Sequence, residues 1–144
     1  MVIAMAALLL GGCAPSDAPA ADQSLVEQSQ GRWLVINYWA EWCKPCRHEI
    51  PELNLLDERD DVQVVGINFD GIAGDALKDL SARMGIQFRV VETDPASELG
   101  VSQPDVLPTT LIVSPDGELV AQLVGPQTAE SIGQRFSVAA STGS

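Results

Sequence analysis

The stretch Trp33–Ala40, WLVINYWA, is the strongest constraint on how this chain can fold. It holds one polar residue, Asn37, among aromatic and branched aliphatic side chains. Side chains of an extended segment alternate between two faces, so a run this apolar can leave neither face in water. It reads as a buried central strand with cover on both sides. Three residues after Ala40 comes Cys43, and from there Ile50, Leu53 and Leu56 recur at three-residue spacing with Leu55 beside them. That period marks a helix from near Cys43 to about Glu58, which Pro51 is expected to kink. Asp60-Asp61 turns the chain, and Val62–Phe69 (VQVVGINF) is a second buried strand. Strand, helix and strand of this character imply a parallel βαβ unit.

The remaining elements extend that frame. Ser24–Ser29 reads as a short helix capped by Ser24. Asp75–Met84 is a helix with Ala76, Leu77, Leu80 and Met84 as its apolar face, closed by Gly85. Phe88–Val91 is a short strand, and Asp94–Leu99 a short helix ended by Gly100. Thr109–Val113 and Glu118–Val124 are strands joined by a turn at Pro115-Asp116-Gly117, which makes an antiparallel hairpin. Thr128–Phe136 is a last helix with Thr128 as cap, and the small, polar tail Ser137–Ser144 is expected to fray. The fold class is α/β: a central mixed sheet flanked by helices.

The first residues read differently. Val2–Leu10 is uninterruptedly apolar, too short for a membrane-spanning helix and of signal-peptide core length. Leu10-Gly11-Gly12-Cys13 follows, and small residues before a cysteine resemble the lipobox of bacterial lipoproteins. The resemblance implies a signal peptide over 1–12, lipid on Cys13, a Pro/Ala-rich linker over 13–23, and one folded domain over 24–144. A lipidated Cys13 places the protein outside the cytoplasm, anchored to a membrane, where disulfide chemistry is permitted. Ala14 after the cysteine leans towards the outer membrane. The formal charge of −12 argues against nucleic-acid binding, because such a chain repels phosphate backbones.

Three cysteines, Cys13, Cys43 and Cys46, divide into one and two. Cysteines three apart at the first turn of a helix can touch. Cys43 would sit where unpaired N–H groups and the helix dipole favour a thiolate. Cys46, one turn in and more buried, would resolve a mixed disulfide. Pro45 is tolerated because first-turn N–H groups have no helical partner.

Trp39-Ala40-Glu41-Trp42-Cys43-Lys44-Pro45-Cys46-Arg47 resembles the active-site segment of thioredoxins. Arg47-His48-Glu49-Ile50-Pro51-Glu52-Leu53, Val65-Gly66-Ile67-Asn68 and Leu107-Pro108-Thr109-Thr110 are similar to the anchored TlpA/ResA/DsbE branch of that fold. The resemblance implies a thioredoxin-like domain with a helix and strand inserted before a cis-proline. It implies thiol-disulfide exchange through Cys43 and Cys46, with Pro108 as the cis-proline and Leu107 offering main-chain hydrogen bonds to a substrate. Trp42 and Pro45 would form an apolar docking surface. Protein thiols and disulfides are the implied substrates, a membrane thiol carrier the electron donor, and some relatives serve cytochrome c maturation. No cofactor is implied, and a monomer is expected.

Thioredoxins carry a buried acid at the position of Asn37, whereas this branch often has Asn there. The proton partner of Cys46 is therefore open between Glu41 and Asp70, both of which read first as surface carboxylates; His48 reads as solvent-facing. Zinc needs about four ligands, and only Cys13 and His48 remain beyond the pair. A copper-carrying metallochaperone is the non-enzyme alternative, but no histidine follows His48. A single-cysteine peroxidase fits the dithiol motif poorly. Within exchange chemistry the reductase reading leads, with oxidase or isomerase as the alternative.

Overall fold

The structure, a computed structural model, describes residues 23–29 and 31–142. The apolar segment 1–12, Cys13 and the linker up to residue 22 lie outside the described residues. The elements are α1 (Leu25–Gln28), β1 (Trp33–Trp39), α2 (Lys44–Asp57), β2 (Val62–Asn68), α3 (Gly74–Met84), β3 (Arg89–Val91), β4 (Thr109–Val113), β5 (Leu119–Val124) and α4 (Ala129–Thr142). One five-stranded sheet runs in the order β3-β2-β1-β4-β5. The β1–β2 and β2–β3 pairs are parallel, and the β1–β4 and β4–β5 pairs are antiparallel. The inserted helix and strand expected before Pro108 are α3 and β3.

The cover on the two faces follows from handedness. The steps β1 to β2 and β2 to β3 go the same way across the sheet, and crossovers of this kind are right-handed. Both therefore place their helices, α2 and α3, on one face. There Val35 packs with Leu53 and Leu56 of α2 and with Ile132 and Phe136 of α4. Trp39 packs with Leu77 and Leu80 of α3. Phe136 also stacks on Trp33, ring centroids 4.6 Å apart.

The chain must then return from the β3 edge to reach β4 on the far side of β1. It crosses the second face through residues 92–108. Leu34, Ile36 and Tyr38 of β1 lie on that face, covered by Leu25 and Val26 of α1 and by Leu99, Val101 and Leu107 of the crossing. The Tyr38 hydroxyl donates to Asp94 Oδ1 at 2.6 Å, and the same oxygen accepts from the Ala96 N–H. Burial first, and then the Asp94 carboxylate, push the Tyr38 phenol above its usual range, so it stays a neutral donor.

Two expectations need correction. The segment Asp94–Leu99 forms turns instead of a helix. Leu99 N–H reaches Pro95 O and Val101 N–H reaches Ala96 O, after which Gly100, at φ +71°, reverses the chain. Gly100 reverses the chain after one turn, so the segment stays a set of turns. The tail is more ordered than expected, because α4 continues to Thr142. Ala139 and Ala140 lie in that extension, and alanine is the strongest helix former. Elsewhere the local signals operate as read: Ser24 and Glu27 form a reciprocal capping box, and Gly85 ends α3 at φ +76°. The helix α2 runs on through Pro51 without interruption.

Gly66 in β2 marks a close approach. A Cβ built there would meet Trp39 Nε1 at 2.9 Å and Phe88 Cε2 at 3.0 Å, both buried ring atoms. Gly66→Ala should therefore cost roughly 1–3 kcal/mol, the range for overpacking a tight core. Urea unfolding of the variant would show it as a lowered midpoint; an unchanged midpoint would mean that the indole moves freely.

Candidate active site

The site is built at the carboxyl end of β1. The strand delivers Ala40 into a turn, and Cys43 becomes the N-cap of α2 with Pro45 in the first turn. Cys43 Sγ accepts from the Cys46 N–H at 3.3 Å, one of the donors that a helix start leaves unpaired. Cys43 and Cys46 are joined by a disulfide with their Cα atoms 5.3 Å apart. Both are buried, Cys43 at 3% exposure and Cys46 at 1%, so the contrast in burial read from the sequence is slight.

The Leu107–Pro108 peptide bond is cis. Leu107 packs against the cluster that contains Cys43 and Cys46, so the crossing brings this bend to the dithiol. Thr109 Oγ1 donates to Val106 O at 2.7 Å and Gly125 N–H to Pro108 O at 2.9 Å, which hold the bend from both sides. Among the described residues, nothing pairs with the main chain of Leu107.

Trp42 is 66% exposed, and its indole N–H is directed to both oxygens of Asp70 at 3.2 and 3.0 Å. The ring meets Phe69 edge-on at 6.2 Å. An exposed indole is thus held in one orientation beside the disulfide. Pro45 is exposed next to it, and Val106, 55% exposed, lies beside the cis bond.

Neither carboxylate considered from the sequence is buried at the dithiol. Asp70 is exposed and engaged by Trp42, while Glu41 is exposed with Arg83 at 4.0 Å. The structure instead buries a third, Glu49, at 1% exposure. It lies three residues after Cys46 on the inward stripe of α2, which also carries Ile50, Leu53 and Leu56. Residues at this spacing face the same way one turn apart. Asn37 of β1 donates through Nδ2 to Glu49 Oε2 at 3.0 Å and to Thr110 Oγ1 at 3.2 Å. The Gln127 N–H donates to Glu49 Oε1 at 3.0 Å. Burial raises the carboxyl to about 7, against the opposing pull of the Gln127, Asn37 and Thr110 hydrogen bonds. Sequence reading missed it, although two signals could have found it: its place on the apolar stripe, and the need of a buried Asn37 for a partner. His48 is exposed.

Residues 13–122 match the AhpC/TSA family. The chain belongs to the AhpC/TSA family. Among curated relatives, it is 29% identical to the thiol-disulfide oxidoreductase ResA of Bacillus anthracis over 106 residues, covering 72% of this chain and 61% of that one. It is 35% identical to the thiol:disulfide interchange protein DsbE homolog of Paracoccus denitrificans over 106 residues, covering 71% and 56%. The chain thus spans about three fifths of the length of such relatives. Solved structures agree on the fold. A DsbF homologue from Corynebacterium diphtheriae superposes with a TM-score of 0.66 at 25% identity, covering 78% and 75%. A DsbE-type protein from Chlorobium tepidum gives 0.62 at 27%, covering 79% and 84%. These are AhpC/TSA relatives of ResA and DsbE type with a thioredoxin-like fold, the class expected from the sequence.

Among the described residues of this AhpC/TSA chain, no group of three or more His, Cys, Asp or Glu is placed to hold a metal ion. No described helix is long and apolar enough to cross a membrane.

The raised Glu49 pKa has a consequence for stability. An unfolded glutamate releases its proton near 4.5, whereas folded Glu49 holds it to about 7. Between those values the folded state binds more protons, so stability falls as pH rises, by roughly 3 kcal/mol for a shift of this size. The contribution is full below pH 4.5 and gone above 7. In Glu49→Gln this slope should vanish, which urea midpoints from pH 4 to 8 would show. Parallel curves for both proteins would remove Glu49 as the source.

Proposed function

We propose that the protein is an extracytoplasmic thiol-disulfide oxidoreductase that exchanges disulfides with protein substrates through Cys43 and Cys46. The observation that carries the reading is the disulfide at the start of α2, with Cys43 as N-cap, packed against the cis Leu107–Pro108 bend. In the reductive direction, the Cys43 thiolate attacks one sulfur of a substrate disulfide and forms a mixed disulfide. The released substrate thiolate takes up a proton. Cys46 passes its proton to Glu49 and attacks Cys43 Sγ, which frees the second substrate sulfur. The substrate gains two electrons, and the Cys43–Cys46 disulfide forms. The helix N-terminus favours the Cys43 thiolate. A carboxyl that titrates near neutrality suits proton exchange with a thiol better than one near 4 does.

The free main chain of Leu107 suits a substrate strand lying alongside, and Trp42, Pro45 and Val106 offer it apolar contact. In this reading Pro108 shapes the bend, and a thiol carrier in the membrane returns electrons to the dithiol. Cys13 is the lipidation site, with 1–12 as signal peptide, 13–23 as linker and 24–144 as the working domain. Reductase is the preferred direction. Direction is set by how strongly the reduced thiolate is stabilised.

Three variants test the reading. Cys43→Ala should abolish exchange. Cys46→Ala should accumulate mixed disulfides that a reductant releases, and the trapped proteins would identify the substrates. Cys13→Ala should leave the membrane fraction. Turnover by Cys43→Ala, or the absence of any trapped species, would count against exchange chemistry. The potential of the pair in thiol buffers sets direction: about −270 mV indicates a reductase, about −120 mV an oxidant.

A further inference from the structure

The turn between β5 and α4, residues 125–129, is tied to two separate parts of the site. At its start, the Gly125 N–H holds the carbonyl of Pro108 at 2.9 Å. Two residues on, the Gln127 N–H holds Glu49 at 3.0 Å, and the Ala129 N–H holds Glu52 Oε2 at 2.9 Å. Pro126 between them has no N–H to give. The Gln127 side chain spans this turn. Its Nε2 donates to Gly125 O at 3.1 Å, and its Oε1 accepts from Ser131 Oγ at 3.2 Å on the first turn of α4.

We propose that Gln127 is a positioning residue: its side chain braces the turn so that one main-chain N–H grips the Glu49 carboxylate while another grips the cis-proline carbonyl. This rests on the reading of Glu49 as the proton acceptor of Cys46. The bracing amide reaches neither sulfur nor carboxylate, so its effect passes through the backbone. A hydrogen bond from an N–H to an ionised carboxylate is among the stronger kinds and favours the charged form. If the turn relaxes, Glu49 loses that donor and keeps its proton to higher pH. The same relaxation frees the Pro108 carbonyl and loosens the bend beside which a substrate would lie.

The other groups facing Glu49 are Asn37 of β1 and Thr110 of β4, both uncharged. On α2 itself the titratable neighbours are Cys46 one turn before, tied up while the disulfide is closed, and Glu52 one turn after. Glu52 stays tethered to Ala129 and is not touched by the Gln127 side chain.

The test uses Gln127→Met, which keeps the size and removes both side-chain hydrogen bonds, in the full chain with the disulfide closed. Carbon-13 NMR of the Glu49 carboxyl, assigned by its loss in Glu49→Gln, gives the titration midpoint directly. The midpoint should move up by about half a pH unit or more, as loss of a donor to the charged form requires. In a separate assay, with a thiol reductant keeping the Cys43/Cys46 pair reduced, KM for an oxidised model peptide should rise severalfold at pH 8. Ser131→Ala removes the bond to Gln127 Oε1 together with the Ser131 bonds to Thr128 and should shift the midpoint the same way. Unchanged midpoints in both folded variants would overturn the proposal. A shifted midpoint in a protein whose wild type exchanges no disulfide would uphold the brace and sink the exchange reading instead.

Discussion

The architecture depends on the burial of β1 from every side. Its neighbours β2 and β4 occupy both hydrogen-bonding edges, and side chains cover both faces. Leu34, Val35, Ile36, Tyr38 and Trp39 are fully buried, so the strand is fixed in position and register. A one-residue slip would turn Asn37 onto the face lined by Leu34, Ile36 and Tyr38 and drive apolar side chains into the polar pocket. Each component of the site is a short reach from this strand. Its end leads into Cys43, Asn37 grips Glu49, and Tyr38 ties down the return crossing through Asp94.

The polar pocket is an exception inside an apolar interior. A carboxylate with no water around it is costly, and here three polar groups offset part of that cost. What remains unfavourable raises the carboxyl to about 7. In the proposed role of Glu49 as proton acceptor such residual tension is useful: complete satisfaction would return the pKa to its ordinary range, and no satisfaction would raise it further. All three partners sit on different elements, β1, β4 and the turn before α4, so the pocket forms only when the sheet and both helices are assembled.

Much of this was legible in the residues. The apolar runs of β1 and β2, the period of α2 and α3, and the turn at Pro115–Gly117 each have a local physical cause, and those elements lie where their signals place them. Asp94–Leu99 failed because a helical composition is not enough when only one turn separates Pro95 from Gly100. The extension of α4 was missed because small polar residues resemble a tail, while alanines among them sustain a helix. The dithiol was plain from spacing. Glu49 was not, because a charged residue next to His48 and Arg47 looks like solvated surface. Its burial depends on Asn37, Thr110 and Gln127, from 12 to 78 residues away along the chain. Only the folded sheet brings them together.

The two crossovers that placed α2 and α3 on one face left the other to a short helix and a long run of turns. The halves of the site therefore rest on different mechanical footings. The cysteines stand on a fourteen-residue helix packed into the main core. The cis-proline stands at the end of the crossing, where regular backbone pairing is sparse and a Tyr38–Asp94 bond supplies an anchor. Segments with few ladder hydrogen bonds open at lower free energy than packed helices. Opening the crossing ahead of the bend should therefore cost less than opening the helix that carries the sulfurs.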